Sequence, residues 1–256
     1  MKTKALRILV VILMMATIVK GQEYKVAKST GKLVLNNINN LTIEGYTGNE
    51  IVFTSLDGNS DRDRRAEGLR AINGLGLEDN TGFGLAVQDK GNVVEVYQLK
   101  GMGGPRVKVM VPKGVSISVN HNSPHGDGVR IKNVESEIEI STLHNGVELD
   151  NVTGPMTIKT VHGEVEAVFG SNIKSPISIA SLHGLIDITL PVAVKANLTM
   201  ATSHGEIFVD PAIKIEQEEK SDMVRYGSSK VSGKVNGGGI EISLSTSHSN
   251  IYLRKK

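Results

Sequence analysis

A repeat that ends in histidine is the feature that most constrains the fold of this chain. Its pattern is apolar-x-apolar-x-Thr/Ser-x-His, followed by Gly, Asn or Ser. Five copies occur, at residues 138–144, 156–162, 177–183, 198–204 and 242–248. Because residues two apart in a strand face the same side, each copy places its apolar residues and its hydroxyl on one face. The repeat therefore predicts a set of equivalent β-strands.

A second alternating strand follows each histidine, beginning for example at Val147, Val165 and Ile186. Successive histidines lie 18, 21, 21 and 44 residues apart, and we interpret the last interval as two units. Self-similar units of this kind indicate a coil in which each turn stacks on the last. We predict an all-β fold, a single-stranded β-solenoid (β-helix) with coils of about 20 residues and of either hand.

The rest of the chain is expected to belong to the same domain, which we place at residues 22–256. The N-terminal part alternates less regularly and predicts the first coils and a cap. Residues 115–121 look like an earlier, imperfect copy of the repeat that ends at His121. Residues 57–84 are rich in Gly and charge and predict a surface excursion, with a short helix around 64–72. Residues 213–239 predict an inserted loop.

The N-terminus has the pattern of a secretory signal. Lys2, Lys4 and Arg7 precede the apolar run 8–19, which is too short to span a bilayer comfortably. We predict that residues 1–21 form a cleaved signal peptide and that no stable membrane insertion remains after cleavage. The chain contains no cysteine, so neither a lipid anchor nor a disulfide is expected.

The charge balance bears on the kind of partner. Loss of the first 21 residues removes four basic residues and leaves 25 basic and 27 acidic ones. A slightly negative chain argues against nucleic acid and against an anionic membrane surface as the partner.

The repeated histidines have a structural interpretation and a metal-binding one. In the structural interpretation His occupies a corner, Gly supplies a positive φ, and the inward Thr/Ser hydroxyl bonds to corner backbone groups. In the other, histidines on coils about 4.8 Å apart share a zinc ion. The candidate ligands are His144, His162, His183 and His204. No third ligand type recurs beside them, so we favour the structural interpretation and predict no metal and no cofactor.

A catalytic interpretation rests on acidic residues. Glu148, Glu166 and Asp187 are expected to align on one outer face, as in polysaccharide-cleaving solenoids. Glycoside cleavage requires one carboxyl in a desolvated pocket, whereas outward acids on strands are usually solvated. We therefore predict that the chain is not an enzyme and has no catalytic residues.

Acid sensitivity is a further expectation. If the corner histidines are packed in their neutral form, stability is present at neutral pH and is lost as the pH falls.

Several stretches resemble the bacterial putative-adhesin family of unknown function. They are NNINNLTIEGYTGNEIVF, the VEVYQ and VKVMVPKGVSISV segments, IEISTLHNGVELDNVTGP and GGGIEISLSTSHSNIYLRKK. The resemblance covers residues 28–256. It implies an exported single-stranded β-helix, at the cell surface or in the periplasm, and carries no catalytic residues. Relatives tend to have Asn, Ser or Tyr at the corner where this chain repeats His.

These observations together predict an adhesin-like, non-catalytic, exported binding or scaffolding protein. Its rigid face would meet an envelope or extracellular polymer or protein, so the partner is an unidentified glycan or protein. The predicted location is the periplasm or cell surface of a Gram-negative bacterium. Two alternatives stay open, a metal-binding histidine ladder and a polysaccharide-active enzyme on a β-helix.

Overall fold

A computed structural model describes residues 22–57, 65, 68–69, 72–217 and 229–256. The described residues form 21 β-strands in two large sheets and no α-helix, which confirms the all-β prediction. The predicted signal peptide, and most of the short helix predicted around 64–72, lie outside the described residues. No helix long and apolar enough to cross a membrane occurs in the described part.

Sheet A contains ten strands. Their spatial order is β1 (Glu23–Val26), β4 (Ile51–Ser55), β7 (Arg106–Pro112), β3 (Asn40–Tyr46), β9 (Gly128–Lys132), β11 (Val147–Val152), β13 (Val165–Phe169), β15 (Ile186–Leu190), β21 (Ile251–Lys255) and β17 (Ile207–Val209).

Sheet B contains eleven strands. Their spatial order is β18 (Ile215–Gln217), β19 (Ser229–Val235), β16 (Ala196–Thr202), β20 (Ile240–Thr246), β14 (Ile177–Ser181), β12 (Met156–Thr160), β10 (Ile138–Thr142), β8 (Gly114–His121), β2 (Thr30–Asn36), β6 (Val93–Gln98) and β5 (Leu85–Lys90).

The repeating unit is one strand of sheet B followed by one strand of sheet A. Equivalent strands of neighbouring units pair in parallel and in register, so that Ile138 lies beside Met156 and Met156 beside Ile177. In the second strand of the unit Val147 lies beside Val165 in the same way. The alignment of the five repeats made from the sequence is therefore confirmed.

The order of the units in the stack differs from their order in the chain. The unit β20/β21 lies between β14/β15 and β16/β17, and the unit β2/β3 lies between β6/β7 and β8/β9. The expectation that each turn stacks on the last is thus wrong near both ends. The physical reason is that all units have the same pattern of inward apolar residues. The alternation of apolar and polar residues therefore does not determine which units become neighbours.

Antiparallel strands close both ends of the stack and make both sheets mixed. β19 pairs along the whole of β16, and β18 pairs with β19. At the other end β5 pairs with β6, while β4 pairs with β7 and with β1. Residues 213–239, expected as an inserted loop, thus contain β18 and β19. Such strands satisfy backbone groups that a simple parallel stack would leave open at its edge.

The core is a column of inward aliphatic side chains between the two sheets. Ile, Val, Leu and Met fill most inward positions, and Phe53 and Phe169 are fully buried. Most outward positions on the same strands are polar, and most are exposed or half-buried. This division follows directly from the period-two alternation in the sequence.

Candidate functional site

Buried Thr and Ser hydroxyls stabilise the corner that follows each of the strands β10, β12, β14, β20 and β16. Thr142 Oγ1 donates to the carbonyl of Asn145 over 2.7 Å, and Thr160 Oγ1 donates to that of Gly163 over 2.7 Å. Ser181 Oγ accepts from the N–H of Gly184, and Thr246 and Thr202 donate to corner carbonyls of a neighbouring unit. The prediction that these hydroxyls face inward and bond to the corner is confirmed.

The corner glycines are required for space. Gly163, Gly184 and Gly205 have φ angles outside the left-handed region, so the expectation of a positive φ is wrong for them. A Cβ atom on Gly184 would lie 2.0 Å from the carbonyl oxygen of Gly163 in the next unit. The close approach of neighbouring backbones excludes a side chain here.

The five histidines at this corner form one column, which we call the histidine ladder. Its members in spatial order are His144, His162, His183, His248 and His204. Successive ring centroids are 5.1, 4.9, 4.8 and 4.8 Å apart, and the ring planes differ by 5–14°. The structure thus brings the four predicted candidate ligands into one column, in which His248 is a fifth member between His183 and His204.

All five rings of the ladder are exposed. The condition on which the predicted acid sensitivity rests, that these histidines are packed, is therefore not met in the ladder. Within the ladder only His204 has a ring hydrogen bond to another described residue, from Nδ1 to the carbonyl of Ser247 over 3.2 Å. The other ring nitrogens of the ladder face solvent.

The stacked geometry of the ladder differs from that of a tetrahedral zinc site. Rings that are stacked face to face point their nitrogen lone pairs in parallel directions, whereas a tetrahedral zinc ion requires converging nitrogens at about 2.0–2.1 Å. Within the described residues no group of three or more His, Asp or Glu side chains could hold a metal ion. A shared ion would require the rings to leave the stack.

His121 belongs to a different, buried network that the sequence alignment missed. It lies beside Thr142 in the sheet, two positions from where the alignment placed it, and it is fully buried. Its Nε2 contacts Asn39 Oδ1 at 3.2 Å, and Asn145 Nδ2 contacts its Nδ1 at 3.2 Å. Because Asn39 Oδ1 accepts and Asn145 Nδ2 donates, these contacts favour a neutral imidazole with its proton on Nε2.

Burial lowers the pKa of His121. A second proton on Nδ1 would point at the amide donor of Asn145, which also donates to the carbonyl of His125 over 3.3 Å. Protonation is thus opposed by desolvation and by the geometry of the network.

The predicted acidic candidates align on the outer face of sheet A. Glu148 lies beside Glu166, and Glu166 lies beside Asp187. Arg130 Nε donates to Glu148 over 2.7 Å, and Arg254 donates to both oxygens of Asp187. The ion pair with Asp187 raises the pKa of Arg254. Carboxylates on an open strand face, two of them in ion pairs with arginine, differ from the desolvated acid that glycoside cleavage needs.

An aromatic pair lies at the end of the stack, in the same outward row of sheet A as Glu148, Glu166 and Asp187. Phe208 and Tyr252 stack with centroids 5.1 Å apart, and the guanidinium of Arg254 lies 5.6 Å from the centre of the Tyr252 ring. Phe208 and Tyr252 occupy equivalent outward positions in β17 and β21, which pair in parallel.

The C-terminal part of the chain matches the family described as Toastrack DUF4097, over residues 104–254. No curated protein gives a significant match. Two solved structures resemble the chain. One is a putative cell adhesion protein from Clostridium sporogenes ATCC 15579, with 12% identity, a TM-score of 0.48 and coverage of 93% of this chain and 100% of that one. The other is a putative adhesin from Bacteroides fragilis NCTC 9343, with 10% identity, a TM-score of 0.29 and coverage of 90% and 95%.

Proposed function

We propose that the chain, which belongs to the Toastrack DUF4097 family, is a non-catalytic exported protein that binds or scaffolds an envelope or extracellular polymer or protein. The observation that carries this proposal is the regularity of its outer faces. Sheet A presents a charged row, and sheet B presents a row of small hydroxyls in which Ser178 lies beside Thr157 and Ser243. Rows at a fixed spacing on a rigid stack suit recognition of an extended partner.

Export is part of the same proposal. The basic and apolar pattern of residues 1–21 supports passage through a secretory route, and the absence of cysteine suits a chain that needs no disulfide outside the cytoplasm. We place the protein in the periplasm or at the cell surface of a Gram-negative bacterium. We further regard the regular middle of the chain as a single-stranded β-solenoid with antiparallel caps.

A capture experiment tests the proposal. The full chain, expressed with its own N-terminal segment, is immobilised and incubated with envelope extract and with a panel of glycans. We expect saturable retention of one partner. Charge-changing variants of exposed residues, Glu166→Lys on sheet A and Ser178→Lys on sheet B, locate the face that binds.

Two results would contradict a non-catalytic binding role. One is that the folded protein retains nothing from the extract or the panel. The other is turnover of a glycan that disappears in Glu148→Ala, Glu166→Ala or Asp187→Ala variants.

A further inference from the structure

The unit β20/β21 (residues 240–255), which we call the inserted unit, lies between two units that precede it in the chain. β20 pairs in parallel with β14 on one side and with β16 on the other, and β21 pairs in the same way with β15 and β17. Its inward side chains Ile242, Leu244, Ile251 and Leu253 are fully buried. The neighbouring units therefore form a slot through both sheets, and the segment that fills it belongs to the chain itself.

The two walls of this slot present the same pattern to the segment between them. Ile177 of β14 and Leu198 of β16 both lie beside Ile242, and the remaining paired positions of β14 match those of β16 in the same register. Parallel pairing fixes the register of an incoming strand, and the inward pockets select its alternating side chains. The slot thus accepts a segment with the pattern of residues 240–255, whichever molecule supplies it.

Side-chain contacts distinguish the inserted unit from the other repeats. Arg254 donates to both oxygens of Asp187 on the outer face of sheet A. The equivalent positions in β13 and β15 hold Val168 and Thr189, which cannot form this ion pair. The ring of His248 also stacks between two other members of the histidine ladder, with centroids 4.8 Å away on each side. The sequence that the slot fits best is therefore that of residues 240–255.

A tight connection, residues 236–239, joins β19 to the inserted unit. β19 and β20 lie on opposite sides of β16, so the connection crosses over the start of that strand. Asn236 has a φ of 52°, and its Nδ2 donates to the carbonyls of Val192 and Val194 over 2.9 and 2.8 Å. The turn thus holds a non-glycine residue in the left-handed region, a conformation that an extended connection would relieve.

We infer that the slot also takes the inserted unit of a second copy, so that two copies exchange residues 240–255 and form a two-fold dimer. The exchanged dimer has the same strand pairs and the same buried side chains as the monomer. The main difference is that the connection 236–239 becomes extended, and short strained connections favour such exchange. This inference is independent of the proposed function. A dimer of this kind doubles each outer face, which strengthens binding to an extended polymer.

A pair of cysteines distinguishes exchange from any other kind of dimer. Ala180 of β14 and Ser245 of β20 are neighbours on the outer face of sheet B, within disulfide range. The full chain with Ala180→Cys and Ser245→Cys is separated by size exclusion under reducing conditions, and the monomer and dimer fractions are then oxidised. Exchange predicts a disulfide between chains in the dimer fraction, seen as a linked dimer on a non-reducing denaturing gel, and a disulfide within one chain in the monomer fraction.

Two results of this experiment would overturn the inference. One is a dimer fraction that runs as a monomer on the denaturing gel after oxidation, since its cysteines are then paired within each chain as in the monomer. The other is a linked dimer formed equally well by Ala180→Cys alone or by Ser245→Cys alone, because contact between surfaces would then explain the link.

A substitution at the connection tests its role. Proline cannot adopt a positive φ, so Asn236→Pro excludes the tight turn and should raise the ratio of dimer to monomer by about tenfold or more at equal protein concentration. Gly103→Pro is the matched control, because Gly103 has a φ of 64° in a turn outside the connection. It should leave the ratio as in wild type. Circular dichroism checks that both variants fold, and a folded, monomeric Asn236→Pro would overturn the inference.

Refolding decides the matter if Asn236→Pro does not fold. The double-cysteine chain is unfolded in urea and refolded at micromolar and at millimolar concentration before oxidation. Exchange joins two chains, so mass action predicts linked dimer at the higher concentration and little at the lower one. A protein that refolds at millimolar concentration without any linked dimer would overturn the inference.

Discussion

Acidification should destabilise the protein through His121, the one histidine among the described residues that is fully buried. Burial lowers its pKa in the folded state, while the unfolded chain titrates near about 6.5. Below that value the unfolded chain binds more protons than the folded one. The stability contributed by neutral His121 is therefore present above about pH 6.5 and is lost as the pH falls.

The size of the effect follows from proton linkage. One proton of difference changes the free energy of unfolding by about 1.4 kcal/mol per pH unit. Between about pH 6.5 and pH 5 the loss due to His121 is thus at most about 2 kcal/mol. The substitution His121→Gln removes the titrating group and retains a donor for Asn39 and an acceptor for Asn145. It should cost about 1–2 kcal/mol at neutral pH, because amide and imidazole differ in shape, and it should flatten the pH dependence.

Urea unfolding of wild type, His121→Gln and His125→Gln at about pH 7.5 and pH 5 measures this difference. The quantity of interest is how much unfolding free energy each protein loses between the two pH values. We expect the loss to be smaller in His121→Gln than in the other two. An equal loss in all three proteins would refute the argument that the buried imidazole opposes protonation.

The other predictions concern the corner and the N-terminus. Gly184→Ala should lower the free energy of unfolding by about 2–3 kcal/mol, because its Cβ would meet the Gly163 carbonyl. Gly101→Ala, whose Cβ would meet nothing within 4 Å, should change little in the same urea titration. Thr142→Val should cost about 1–2 kcal/mol by leaving the buried Asn145 carbonyl without its donor, whereas Thr142→Ser should retain most of the stability. The intact mass of the protein recovered from the periplasm of a Gram-negative host should correspond to a chain that begins at Gln22, and a mass that includes residues 1–21 would contradict the predicted cleavage.

Much of the repeated architecture could be predicted from the sequence, because its physical cause is local. Alternation places Ile138, Ile140 and Thr142 on one face, and the same alternation in every unit forces equivalent residues into register. The hydroxyl ladder follows from that register. The prediction of a histidine column follows too, since each histidine stands two residues beyond a buried hydroxyl.

The order of the units and the exposure of the histidines could not be predicted in this way. Neighbouring units are interchangeable in pattern, so nothing local distinguishes β16 from β20 as the neighbour of β14. His121 was misaligned because the repeats were aligned on their histidines, whereas in β8 the histidine occupies the position that Thr142 has in β10. A positive φ was expected at the corner glycines. The structure instead shows that a backbone carbonyl of the adjacent unit leaves no space for a side chain there.

The order of the last units is the central structural claim, and engineered disulfides test it most directly. The chain has no cysteine of its own. Ala180 lies beside Ser245, and Ser245 lies beside Ala201, all on the outer face of sheet B. Neighbouring strands are about 4.8 Å apart, within disulfide range, whereas strands two apart are separated by about 10 Å and are out of range. Under mild oxidation Ala180→Cys with Ser245→Cys should form an intramolecular disulfide, and Ala180→Cys with Ala201→Cys should remain reduced. The opposite result would show that β14 lies next to β16 and that the units stack in chain order.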